Sequence, residues 1–377
     1  MRRLRWWALL SDAVPFYPLY ALLFADVGLS DARISWLFVV WSVVGILAEV
    51  PSGAWADRFS HRGAMALGGL AQASAYVLWT AWPGFTCFAY GFALWGIGGA
   101  LVSGSVEALL HDGLAAAGSA DRFGRVHGQL DALELVANVP AAVAATTLFS
   151  AGGYPLVGWV SVAVCVGAAL VAAGLPEPPR AHGAERAPGS YVGALREGAR
   201  EALTDRAVRG AVAVVAVLGA LDAVEEYFGL LAADWGVPTR WVPMVLPAIP
   251  LAGALGALAA GRFVRVRPTT LTLWFGVAVG VFAVSDVLAQ AGSLVGVAVF
   301  YAGYRGVLVV ATTWLQERVR GGARATVTSF VGLGTELACL VVYAAWAWGQ
   351  TAAVVGLAAL VAVFLPRGLR PSRSPRR

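Results

Sequence analysis

Residues 49–62 read EVPSGAWADRFSHR. A glycine (Gly53), an acid (Asp57) and two arginines (Arg58, Arg62) share a short polar stretch with long apolar sequence on both sides. The apolar run before it begins near Ile34 and the one after it near Ala64, each long enough to cross a hydrocarbon core of about 30 Å. The stretch therefore reads as a tight loop between two membrane spans, with Gly53 permitting close helix approach. The same alternation continues in both directions. Spans begin near Leu4, Ile34, Ala64, Phe85, Val126, Leu156, Val208, Val242, Thr270, Leu294, Val327 and Ala352. The connections are short except for residues 176–206, a Pro-rich hydrophilic stretch that ends in a possible amphipathic helix and leaves six spans on each side.

Composition agrees with this map. Of 377 residues, 59% are hydrophobic and 13% charged, and the mean hydropathy is +0.72; a soluble domain would be about one quarter charged. The apolar runs do not alternate, which argues against a membrane β-barrel. The first run continues past Asp12 without a small-residue cleavage pattern, so it reads as a span and not a signal peptide. Cys87, Cys165 and Cys339 are far apart and lack histidine neighbours, which fits small buried hydrophobes better than a disulfide or a metal site.

Every one of the 27 basic residues is arginine, a compositional hint of a GC-rich bacterial genome. Only Arg33 and Arg240 fall on the side opposite the termini, and only Arg305 falls within a span. The positive-inside rule then places both termini and residues 176–206 in the cytoplasm of a bacterial plasma-membrane protein. The same rule accounts for the basic tail at 367–377 as topogenic and lipid-facing, with no nucleic-acid partner.

The two halves echo each other. DAVPFY at 12–17 matches DAVEEY at 222–227, and Gly96 and Glu107 stand at the same offset from Gly306 and Glu317. Arg122 and Glu134 pair with Arg324 and Glu336 at a slightly shorter offset. Their consistent order predicts two parallel six-span repeats with a site at the repeat interface.

The order G-x-x-x-D-R-x-x-x-R at Gly53, Asp57, Arg58 and Arg62 resembles the signature loop of the major facilitator superfamily, with Ser60 where the family usually has glycine. With the six-plus-six map, the resemblance spans nearly the whole chain. It implies an all-α polytopic membrane protein of about twelve transmembrane helices in two pseudo-symmetric bundles, residues 1–175 and 207–366. It further implies that Asp57 sits at the start of the eleventh span (Arg324–Thr328), where a helix N-terminus favours an anion. Arg58 or Arg62 would pair with Glu107 or Asp112, holding an outward-open state. The corresponding loop of the second half, GALAAGRFVRVR, has no such acid, so the latch is one-sided.

Charged groups at mid-span cost about 2.5–3.5 kcal/mol each on insertion scales. Asp12, Asp131, Glu134, Asp222, Glu225, Glu226 and Glu336 all fall within spans, against the single basic residue Arg305. They cannot all be paired, so the remainder must hold protons or face water. Asp12 and Asp222 lead the candidates because they recur in spans 1 and 7, and Glu225 and Glu226 follow at i+3 and i+4 on one helical face. Tyr17 and other aromatics nearby offer cation–π surfaces, while Trp6, Trp7, Trp82, Trp235 and Trp241 read as interfacial belts.

The resulting expectation is a monomeric secondary transporter of the facilitator type, working by alternating access and exporting a small amphipathic or cationic organic compound in exchange for protons. Against the coupling stand two departures from the family: span 4 lacks its intramembrane arginine, and span 5 lacks its antiporter glycine-proline pattern, offering only Asn138-Val-Pro140. Uniport or symport of a polar metabolite, or a non-transporting receptor or scaffold, are the rival readings. No nucleophile elbow, phosphate loop or zinc spacing points to an enzyme, a metal or a cofactor.

Overall fold

The computed structural model describes residues 2–177, 206–262, 266–319 and 324–369, and the secondary structure among these residues is helical. Most of the central segment 176–206 and of the tail 367–377 lies outside the described residues. Among the described residues, eight helices are long and apolar enough to cross a membrane. Two of them, at Phe123–Ala173 and Arg324–Gly368, contain 51 and 45 residues, about twice what a bilayer needs. Each turns over at non-helical backbone, at Gly152–Gly153 and at Gly349–Gln350.

Side-chain bonds show that these are hairpins. Arg3 donates to the Gly174 carbonyl while Arg5 donates to Gln129 Oε1 at 2.8 Å. Two neighbouring arginines thus hold both ends of one long helix, and Tyr154 near its bend reaches Asp26 at the far end of span 1, 2.7 Å away. The second half repeats the device, with Arg318 donating to the Leu369 carbonyl and Gln316 to Thr328 Oγ1. Read as two spans each, the hairpins supply spans 5, 6, 11 and 12. His61–Ala81 and the broken run from Arg206 to Asp234 complete the twelve expected from sequence.

Contacts group the chain into two units, Met1–Glu185 with Pro238–Pro247, and Arg186–Val237 with Ala248–Arg377. Lipid tails are as apolar as leucine, so helix association within each unit relies on close packing at small residues. A Cβ on Gly96 would lie 2.8 Å from the Trp41 carbonyl, and one on its repeat-mate Gly306 would lie 3.2 Å from the Gly256 carbonyl. Spans 2 and 4 and spans 8 and 10 therefore cross at matching glycines. The first unit fills its interior with aromatic rings: Phe24, Trp79, Phe88 and Phe92 are all buried and in mutual contact. Of the expected belt tryptophans, Trp6, Trp82 and Trp241 are exposed. Trp7 and Trp235 are instead buried, at 4% and 7% exposure, and belong to the core.

The tightest approach to another helix's backbone is at Gly256, where a Cβ would come within 2.0 Å of the Ala302 carbonyl. Gly256→Val should cost about 1–3 kcal/mol by overpacking, read as a lower unfolding midpoint of the detergent-solubilised protein. Gly280→Val, at a position with no neighbour within 4 Å, should leave the midpoint unchanged.

Candidate functional site

The acidic run of span 7 is not an α-helix. An α-helix runs from Arg206 to Ala220, a 3-10 helix occupies Leu221–Tyr227, and α-helix resumes at Phe228–Asp234. This corrects the expectation of one acidic face. With three residues per turn, positions i and i+3 eclipse while i+4 turns a further 120° away. Asp222 and Glu225 accordingly meet one partner, the Tyr301 hydroxyl, at 2.6 and 3.0 Å. Arg305, one turn along span 10, places Nη1 3.2 and 3.3 Å from the two oxygens of Asp222. Glu226 and Glu336 lie within electrostatic range of Cys339 and Tyr343 on span 11, and Asp222 lies within range of Cys339 as well.

The tyrosine is held from several sides. A Cβ on Gly253 would meet its ring at 2.6 Å, while Phe228 and Tyr304 pack against it at centroid distances of 5.6 and 5.4 Å. At the join between the two helix types, backbone carbonyls take side-chain donors: Tyr304 Oη donates to Gly219 and the Cys339 thiol to Ala220.

Span 1 breaks at the matching place. Its first helix ends at Asp12, a 3-10 turn covers Tyr17–Leu19, and helix resumes at Tyr20. Pro15 and Pro18 supply no N–H groups there. The Phe16 amide donates to Ser161 Oγ at 3.0 Å, and that buried hydroxyl donates onward to the Val157 carbonyl at 2.8 Å. Asp12 lies within electrostatic range of Glu134, which also senses Asp131. Tyr17 is exposed and stands edge-on to Trp95 and Tyr20. Asp131 and Glu107 meet a residue absent from the sequence-derived set, His127, at 3.1 and 3.5 Å.

The loop at 49–62 is also arranged differently from expectation. Arg62 Nε lies 3.6 Å from Glu177 at the end of span 6, and not beside Glu107 or Asp112. Glu107 pairs with His127, Asp112 with His111 at 3.3 Å. The Glu177 carboxylate also accepts from Ser60 Oγ and from the His61 amide, both at 2.7 Å. Ser60 is the N-cap of span 3, accepting from the Gly63 amide at 3.0 Å, so Glu177 sits at a helix N-terminus that favours an anion. Arg58 stacks over Phe59 at 5.6 Å. Asp57 lies 3.8 Å from His61, and its expected seat at Arg324–Thr328 falls partly on side chains outside the described residues. A Cβ on Gly53 would meet nothing within 4 Å, so the close approach expected there is absent among the described residues.

A family model described as Major Facilitator Superfamily matches residues 7–343. The chain belongs to the Major Facilitator Superfamily. Solved structures similar to this facilitator include the nucleoside transporter NupG, at 12% identity and a TM-score of 0.73 over 98% of each chain. A bacterial homologue of the human lysosomal transporter Spinster aligns at 15% identity and a TM-score of 0.74, over 98% of this chain and 96% of that one. A D-xylose-proton symporter aligns at 12% and 0.67, over 98% and 97%. At such identities the likeness is one of fold. No curated protein matches the sequence.

Within the facilitator, the structure brings Asp222, Glu225 and Arg305 together, and separately groups Asp12, Glu134 and Asp131. Tyr301, offered by the sequence only as one of the aromatics near the acids, and His127, not singled out there, complete these groups, while Glu177 joins the 49–62 loop. The signal for Tyr301 was its place one turn before Arg305, and the signal for His127 was its i, i+4 spacing to Asp131. Among the described residues, no group of three or more His, Cys, Asp or Glu could hold a metal ion.

Ser60→Ala removes both the cap and a Glu177 partner. It should lower stability by about 0.5–2 kcal/mol, as cap removal generally does. Glu177→Gln should destabilise as well, and a double-mutant cycle on unfolding midpoints should be non-additive because the two share a bond.

Proposed function

We propose that this facilitator is a secondary active transporter that works by alternating access and exchanges protons for a small cationic or amphipathic organic compound, exporting it. The observation that carries the reading is the cluster of Asp222, Glu225, Tyr301 and Arg305 at the break in span 7. A phenol has one O–H to give and ionised carboxylates only accept. Tyr301 can therefore satisfy Asp222 or Glu225, and the second contact needs a proton brought by a carboxyl. Arg305 lies on both oxygens of Asp222 and balances its charge, so the additional proton belongs to Glu225.

A cation that reaches Glu225 replaces that proton, because either one neutralises the same carboxylate. Competition for one site makes the movements alternate, and a proton gradient directed into the cell drives the cation out. Exposed Tyr17 and half-buried Trp95 of the first unit offer ring faces suited to an organic cation. The reading places the protein as a monomer in a bacterial plasma membrane, termini in the cytoplasm, with substrate, protons and lipid as its partners. Asp57, Arg58 and Arg62 form its gating loop.

A second reading, symport of a polar metabolite, is favoured by one observation. Arg305 and Asp222 remain 38% and 46% exposed, leaving donors and acceptors for a hydroxylated solute. The structural likeness to a D-xylose-proton symporter and a nucleoside transporter is compatible with it.

Proteoliposomes with an imposed pH gradient separate the two, using tetraphenylphosphonium against uridine and xylose as probes. Gradient-driven movement of the cation opposite to protons is expected, and co-directional uptake of a neutral probe would replace export by symport. Tyr301→Phe and Glu225→Gln should each cut coupled flux about tenfold or more, since one hydrogen bond to a charged group is worth about 1.5–3 kcal/mol. Flux indifferent to the gradient and to both substitutions would remove proton coupling altogether.

A further inference from the structure

The joint between spans 4 and 5 is built around His127. Its Nδ1 lies 3.1 and 3.2 Å from the two oxygens of Asp131 in its own helix, and its Nε2 lies 3.5 Å from Glu107 Oε1 on span 4. A neutral imidazole donates from one nitrogen only, and ionised carboxylates cannot donate. Both contacts are hydrogen bonds only when this group of three holds one added proton, and an imidazolium is the form that donates in both directions.

The surroundings supply further acids. Glu134 follows Asp131 by about one turn and senses His127, Asp131 and, from span 1, Asp12. Arg5 of span 1 is engaged with Gln129, and Asp121 and Arg122 lie in the turn before the helix. The Phe123 ring packs on His127 at 5.6 Å and on His111 at 6.1 Å, and His111 itself pairs with Asp112.

The internal repeat provides a comparison within the same molecule. The counterparts of Glu107 and His127 are Glu317 and Ser329. At that level spans 10 and 11 are joined by Gln316 Nε2 donating to Thr328 Oγ1 at 2.8 Å. An amide and a hydroxyl do not titrate in the physiological range. At this level the second half thus has a contact between neutral groups, where the first half has one between ionisable groups.

We propose that His127 is a proton-binding site of the first half, whose imidazolium is held by Asp131 of its own helix and clasps span 5 to Glu107 of span 4, and whose deprotonation releases one of the two contacts. The site is separate from the span 7 cluster, lies on the face that carries the N-terminus, and needs no particular substrate. It rests on the transport reading only for its flux measurement.

The chain has four histidines, His61, His111, His127 and His182, so histidine-selective nitrogen NMR of the purified full-length protein in nanodiscs can resolve each ring, with His127→Gln as the assignment. At pH 7 the His127 ring should be protonated on both nitrogens, and in a Glu107→Gln, Asp131→Asn double variant it should be neutral at the same pH. A neutral ring in the unmodified protein, or a charge state indifferent to the double variant, would overturn the site.

A second measurement follows proteoliposome flux while pH on the N-terminal face is varied between about 6 and 8, the range over which imidazoles commonly titrate. The profile of the unmodified protein should carry an inflection that is lost in His127→Gln and His127→Arg, the first unclasped and the second permanently charged, while the pH dependence that proton exchange at Glu225 gives remains in all three. Identical pH profiles in all three would refute the clasp. Loss of gradient-driven flux with the NMR result intact would instead count against proton-coupled transport and leave the proton site standing.

Discussion

Inside a bilayer no water is available to satisfy a backbone amide or carbonyl, and each unsatisfied group costs several kcal/mol. The breaks in spans 1 and 7 exist under that constraint, and three side chains allow them. Ser161 accepts from the Phe16 amide and donates its own O–H to the Val157 carbonyl. Tyr304 and Cys339 reach the carbonyls of Gly219 and Ala220. Through these bonds the break in span 1 is fastened to span 6, and the break in span 7 to spans 10 and 11. Asp12 and Asp222 stand at the edges of those breaks, so their positions are set by helices remote in sequence.

The 3-10 turn also divides labour among acids that sequence places together. Eclipsing Asp222 and Glu225 concentrates two carboxylates, a phenol and a guanidinium on the side of span 10. Glu226, one residue on, acts electrostatically on Cys339 and Tyr343 of span 11. Two chemically distinct environments arise from consecutive residues because the helix is wound more tightly for two turns. Gly253 matters for the same reason, since any side chain there would occupy the space of the Tyr301 ring.

The span map, the internal repeat and the family were legible because hydropathy, arginine placement and the Asp57–Arg62 loop depend on local sequence. The winding of residues 221–227 was not, because no proline or glycine within LDAVEEY announces it and its cause lies in donors from spans 10 and 11. Pro15 and Pro18 did announce the break in span 1, but a proline inside a span is compatible with a kink as well as with a break. The partner of Arg62 was misplaced for a different reason. The resemblance directed attention to Glu107 and Asp112, whereas Ser60 in place of glycine gives span 3 a cap that draws Glu177 into the loop. His127 was passed over because histidines scattered in sequence carry no sign of the helix packing that brings Glu107 to one.

The paired arginine devices that close the two hairpins differ in one respect. Arg3 meets Gly174 across 171 positions, whereas Arg318 meets Leu369 across 51. Non-local contacts form late because chain closure must come first. The N-terminal residues of the first bundle therefore wait through the synthesis of five further spans before their partner exists, while the second bundle closes its last hairpin onto a helix made just before it. Span 7 nonetheless meets the end of span 12 at Gly210 and Gly368, so in both bundles the span made first is sealed by the span made last, and the halves differ in which arginine holds the final hairpin shut.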